Sequence, residues 1–162
     1  MTVCMEIRLT TADDWLRLKH VRLAALRDSP TAFGVSYEAA SGYTDEAWKV
    51  RASSTGTAFW LAILDGQAVG MIGAAVSDAG RFNLIGLWVE PAARGCGAAA
   101  GLVESVKARA LESGHDRVFL DVSPENVDAV RLYQKHGFSF LDEWENLQSH
   151  PHIRVQTMVW RV

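Results

Sequence analysis

The sequence predicts one mixed α/β domain spanning residues 1–162, and three observations carry that expectation. Apolar residues alternate between strand-like runs and helical spacing in the order β, α, α, β, β, β, α, β, α, β, β. An Asp65-Gly66 pair between two apolar runs marks an antiparallel hairpin. The 162 residues are enough for one well-filled core and too few for two.

Each element has its own signal. Glu6–Thr10 reads as a short strand, and Thr11-Ala-Asp-Asp14 has the spacing of a capping box with Asp in the usual Glu position. Trp15, Leu18, Val21, Ala25 and Leu26 repeat at helical spacing until Ser29-Pro30. Asp45–Ala52 reads as a second, short helix. Phe59–Leu64 and Val69–Val76 form the hairpin, and Phe82–Val89 is a third strand of that group, stopped by Pro91. Ala98–Glu112 is helical, with Leu102, Val103, Val106 and Ala110 on one face and Gly114 just past its end. Arg117–Val122 is a strand, Asn126–His136 a helix closed by Gly137, and Phe138–Trp144 a strand. Gln148–His152 reads as a loop before a last strand, Arg154–Trp160.

Composition narrows the function. Hydrophobic residues make up 49% and charged residues 22%, ordinary values for a soluble globular chain. The net charge is −3 without a basic run, which argues against nucleic acid as a partner. No apolar run approaches a membrane span, and Met1–Leu9 lacks the apolar region of a signal peptide. Cys4 and Cys96 form neither a disulfide framework nor a metal pair, so a reducing, cytoplasmic setting is expected. His150-Pro-His152 has no third ligand nearby, and no metal is expected.

The most informative stretch is Val89-Glu-Pro-Ala-Ala-Arg-Gly-Cys-Gly-Ala98. Glycines just before a helix leave its first N–H groups free, and the helix dipole adds positive charge, so the turn suits a phosphate. Gly95 and Gly97 permit close backbone approach, while Arg94 offers a forked cation. The stretch lacks the Lys-Ser/Thr ending of a nucleotide P-loop. Gly95-Cys-Gly97-Ala-Ala-Ala100 fits the Rossmann pattern, but five residues separate it from the strand and a hairpin precedes it.

Leu87-Trp-Val-Glu-Pro91, then Arg94-Gly-Cys-Gly-Ala98, resembles the acetyl-CoA-binding segment of the GNAT superfamily of N-acetyltransferases. Asn126-Val-Asp-Ala129, then Leu132-Tyr-Gln-Lys-His-Gly-Phe138, resembles that family's second motif. The resemblance implies a central, mostly antiparallel twisted sheet of about seven strands flanked by about four helices. It implies acetyl-CoA as cosubstrate, held by Leu87, Trp88, Val89, the turn Arg94, Gly95, Cys96, Gly97, Ala98 and Ala99, and by Asn126, Tyr133 and Lys135. A main-chain N–H near Trp88 or Val89 would stabilise the oxyanion. The family's Gln/Arg position is Ala92 here.

Transfer to an amine needs a base, because an alkylamine of pKa ~10.4 is protonated at neutral pH. The resemblance points to Asp121 as that base, on the strand before the second motif; Glu125 or a water chain remain alternatives. The fourth-strand Glu of other members is Asn83 here. Tyr133 matches the tyrosine that protonates the departing thiolate. Cys96 lies inside the turn, misplaced for a nucleophile.

The implied activity is direct acetyl transfer to a primary amine of a small molecule or peptide. Glu38, Trp60, Trp88 and Glu125 are expected to line the acceptor cleft, in a monomer or a homodimer. The alternative is a non-catalytic acyl-CoA-binding or interaction domain on the same fold.

Overall fold

The computed structural model describes residues 5–162, so Cys4 lies outside the described residues. The strands are β1 (Met5–Leu9), β2 (Ala58–Leu64), β3 (Gln67–Val76), β4 (Phe82–Val89), β5 (Arg117–Val122), β6 (Ser139–Leu147) and β7 (His150–Arg161). The helices are α1 (Trp15–Asp28), α2 (Tyr37–Ser41), α3 (Asp45–Ala52), α4 (Ala98–Glu112) and α5 (Val127–Lys135). The seven strands form one sheet in the order β1-β2-β3-β4-β5-β7-β6. Every pairing is antiparallel except β4 with β5.

The sheet separates two cores, and strand alternation decides which side chain enters which. On one face α4 and α5 cover Trp60, Ala62, Ile72, Leu84, Val118, Leu120 and Met158. On the other, α1, α2 and α3 cover Phe59, Leu61, Ile63, Met71 and Trp88. Trp48 of α3 and Leu18 of α1 are fully enclosed there. The Thr11 N–H donates to Asp14 Oδ2 at 2.9 Å, the reciprocal half of the predicted capping box.

Two points add to or amend the expectations. Beside the about four helices expected, the described residues hold a fifth: Tyr37–Ser41 forms one turn capped by Ser36, whose Oγ accepts from the Ala39 N–H at 3.1 Å. Five residues hold too little periodicity to announce a helix. The second concerns Gln148–His152. His150 and His152 already belong to β7, so the connection from β6 is only Gln148-Ser149. Pro151 sits inside that strand near its start.

A break in β4 shapes the region that follows. Gly73 faces Ile85 and Met71 faces Trp88, so two β4 residues, Gly86 and Leu87, oppose one on β3. This is a β-bulge, and Gly86 adopts φ +62° within it. The extra residue moves Trp88 to the α1 side while Leu87 and Val89 pack toward α4. A Cβ on Gly86 would lie 2.6 Å from Arg22 Nη1, which would have to move aside, and the positive φ itself favours glycine.

Gly86→Ala is therefore expected to destabilise the fold by ~1–2 kcal/mol, mostly through left-handed strain, lowering Tm by roughly 2–8 °C. An unchanged melting curve would mean that the bulge relaxes to ordinary strand geometry at no cost.

Candidate active site

β4 and β5 run parallel but meet at a single pair, Asn83 with Phe119. Beyond it they diverge, leaving the β5-facing edge of β4 without a strand partner. The Glu90 N–H donates to Val69 O on β3 at 2.7 Å. By strand alternation the N–H and C=O of Val89 face the gap, as the expected oxyanion donor must. Trp88, the other residue expected there, faces its main chain toward β3.

The glycine turn stands at the end of this gap. Gly95 and Gly97 have φ +88° and +89°, with open space where a Cβ would sit. Their requirement is conformational, not steric. Gly97 caps α4 without a side-chain acceptor, and the first helical bond recorded runs from Gly101 N–H to Gly97 O. The N–H groups of Ala98, Ala99 and Ala100 are the free donors of this 15-residue helix. Beside the turn lies a groove of about 460 Å³ lined by Met5, Leu64 and Ala92 to Cys96.

Arg94 is less free than its position implied. Its Nε donates to Val89 O at 3.0 Å, and an Nη reaches Asp28 Oδ2 at 3.4 Å. The same oxygen accepts from Trp88 Nε1 at 3.0 Å and Ser29 Oγ at 2.9 Å. These donors, the indole first, hold the Asp28 carboxyl below the usual range. Cys96 is exposed, and its thiol donates to Ala93 O.

Asp121 lies at the other wall of the gap, on the sheet face opposite Val118, Leu120 and Val122. Its Oδ1 accepts from the buried Thr157 Oγ1 at 2.7 Å, which fixes the carboxylate while leaving it solvent-facing. Arg81 stacks on Phe119, two residues before Asp121, at 4.4 Å. It forks onto Glu143 at 2.7 and 2.9 Å, and that pairing, reinforced by Asp121, raises the guanidinium pKa.

Tyr133 is buried on α5 with its ring 5.8 Å from Phe138. Burial alone pushes the phenol pKa well above its usual value. On the same helix Val127 is 51% exposed, whereas Val130 packs inward. Asn126 begins α5, yet its side chain makes no capping bond and is left uncommitted. Lys135, Glu125 and Glu38 are exposed.

Trp60 does not join the cleft. It is 7% exposed in the core under α4, on the face opposite Asp121, because β2 alternation sends Phe59 and Leu61 the other way. Trp88 is on the face covered by α1–α3, where it is enclosed and tied to Asp28. Among the described residues no cluster of three His, Cys, Asp or Glu side chains could hold a metal, and no helix is long and apolar enough to cross a membrane. Sequence reasoning passed over Gly86 and Thr157. An isolated glycine within an apolar strand was the available sign of the first; nothing local marked the second.

A profile described as the Acetyltransferase (GNAT) family matches residues 22–138. An uncharacterized N-acetyltransferase of Escherichia coli (strain K12), YjgM, is 30% identical over 138 residues, covering 83% of this chain and 81% of that protein. The chain spans about half the length of the human N-acetyltransferases it also matches. A GNAT acetyltransferase structure from Streptococcus pneumoniae superposes with TM-score 0.81 at 22% identity, covering 98% of this chain and 99% of that one. The PaiA N-acetyltransferase of Thermoplasma acidophilum, solved with coenzyme A, gives TM-score 0.72 at 18% identity over 98% and 99% of the two chains. With the splayed strands, the glycine turn and both motifs in place, the chain belongs to the GNAT family of acetyltransferases.

Proposed function

We propose that this protein transfers an acetyl group from acetyl-CoA directly to a primary amine of a small molecule or peptide. The observation that carries the reading is the open edge of β4 ending at the glycine turn. A pantetheine arm carries amides that can pair with a bare strand edge, and the α4 N-terminus offers free N–H groups to a pyrophosphate. The 460 Å³ groove beside the turn leaves room for the rest of the nucleotide. The PaiA relative, solved with coenzyme A, supports the same cosubstrate.

In this reading Asp121 takes the proton lost by the amine, directly or through water, and Thr157 holds the carboxylate in place. The Val89 N–H, facing the gap, stabilises the tetrahedral oxyanion. As the carbon–sulfur bond breaks, the Tyr133 hydroxyl gives its proton to the sulfur. No covalent protein intermediate is needed, which suits a Cys96 thiol turned onto a main-chain carbonyl.

A cosubstrate that binds only the native state at about 100 times its Kd stabilises it by ~2.7 kcal/mol. Acetyl-CoA should therefore raise Tm clearly, and Gly97→Val, which forces a β-branched residue to φ +89°, should remove that rise. A full rise in the variant places the cosubstrate elsewhere.

Asp121→Asn should reduce kcat/KM by ~10²–10⁴ with little change in acetyl-CoA binding. Wild-type turnover in steady-state assays would transfer the role to Glu125 or solvent.

Tyr133→Phe keeps the ring and deletes the proton donor, so kcat should fall with kcat/KM by ~10²–10⁴. The raised phenol pKa adds a stability signature. The folded state keeps the proton that the unfolded chain loses near pH ~10, so this contribution is complete below that pH and declines above it. The variant should show a flatter alkaline decline in Tm; equal curves would mean that the hydroxyl is solvated.

A further inference from the structure

Arg22 of α1 is a cation without an anion. Its Nη1 is enclosed and has no hydrogen-bond partner, and no carboxylate pairs with it among the described residues. Asp14, just before α1, is engaged instead by Arg8 at 3.2 Å and Arg17 at 3.6 Å. Burial lowers the Arg22 pKa, and a second cation, Arg51, lowers it further, while Tyr43 acts the other way.

The two arginines share a small cavity with Leu18, Tyr43, Trp48 and Phe59. Trp48 Nε1 is a second enclosed donor without a partner. Arg51 lies 4.3 Å from the Tyr43 ring, and Tyr43 packs edge-on against Trp48 at 5.5 Å. The free space, about 10 Å³, admits one atom the size of a water oxygen. Two residues that line this space carry enclosed donors without partners, and a second cation lines it too, a setting that favours a negative oxygen because unpaired buried donors and charges are costly.

The position of the cation narrows what that oxygen belongs to. Arg22 Nη1 is 2.6 Å from where a Cβ of Gly86 would be, and its guanidinium carbon is 5.6 Å from the Phe33 ring. Gly86 is the bulge residue from which the open edge of β4 begins. An anion bound to Arg22 beside Gly86 would lie next to the open edge of β4, where the acetyl-transfer reading brings the acceptor.

We propose that Arg22, backed by Arg51 and the Trp48 indole, binds a carboxylate of the acceptor, which makes the acceptor an α-amino acid or another small amine with a carboxylate next to its nitrogen. This deepens the acetyl-transfer reading and rests on it. The carboxylate is retained unchanged through the reaction: its role is to orient the amine.

The test compares thiol release from acetyl-CoA with each of the common L-amino acids and with its C-terminal amide. The amide has the less basic amine and so the larger neutral fraction, which works against the expected outcome. The acids should nevertheless exceed their amides by ~10² in kcat/KM, the scale of one buried charge pair. Arg22→Met should erase that ratio and Arg22→Lys should keep part of it, while both still show the acetyl-CoA-induced rise in Tm that marks a folded protein. Independently of turnover, N-acetyl-L-alanine and N-acetyl-L-phenylalanine should raise the wild-type Tm more than their amides do, and Arg22→Met should lose the difference. Equal use of acids and amides, an unchanged ratio in Arg22→Met, or the same protection from sodium chloride at matched ionic strength would overturn the proposal. If no amine is acetylated at all, the acetyl-transfer reading fails, and the product-binding arm still decides whether Arg22 takes a carboxylate.

Discussion

The divergence of β4 from β5 is the constraint on which the site depends. Parallel strands normally pair along their length under covering helices. Here one pair, Asn83 with Phe119, joins the two halves of the sheet, and the helix following each strand starts beyond the opening. The bulge at Gly86 lies on the same strand and turns Trp88 toward α1. A main-chain edge that would ordinarily be satisfied by a strand neighbour is thereby left without one, and among the described residues only Val89 O finds a substitute partner, Arg94 Nε.

Side-chain networks hold the two walls from behind. Asp28, at the end of α1, collects Trp88, Ser29 and Arg94, and so connects the acceptor-side helix, the end of β4 and the glycine turn. On the opposite face the buried Lys107 donates to His136 O at 2.6 Å and to Glu104 at 3.2 Å, placing a cation at the C-terminal end of α5, the helix that carries Tyr133. The forked Arg81–Glu143 pair ties β6 across Phe119. The Asp28 and Arg81 pairs are partly exposed, so their effect on stability is small; what they fix is geometry.

Local signals made most of the fold legible. Asp45–Ala52, Phe82–Val89, Ala98–Glu112 and Arg117–Val122 have the bounds that periodicity and punctuation predict, because each is a strong pattern stopped by proline, glycine or a cap. The α2 turn lacked the length for a period, and Pro151 disguised the start of β7. For the site, the glycine turn was legible since phosphate affinity is a property of local backbone. Trp60 was misplaced because a strand residue's face is set by register, which a single sequence does not display. Thr157 became Asp121's partner through a β5–β7 pairing 36 residues apart in sequence, beyond the reach of any local pattern.

The two groups proposed to move protons lie on opposite faces of one sheet. Asp121 is on the α1 side, exposed and accepting from Thr157, in surroundings that leave a carboxylate solvated. Tyr133 is on the α4–α5 side, enclosed by apolar residues that keep a phenol neutral. A continuous sheet would keep them apart. In the proposed reaction the gap between β4 and β5 is the opening through which a thioester approached from one face meets an amine delivered from the other. Base and acid in that proposed reaction act on opposite substituents of the same tetrahedral carbon, each in the medium its charge state requires: water for the group that must be ionised, and apolar packing for the group that must keep its proton.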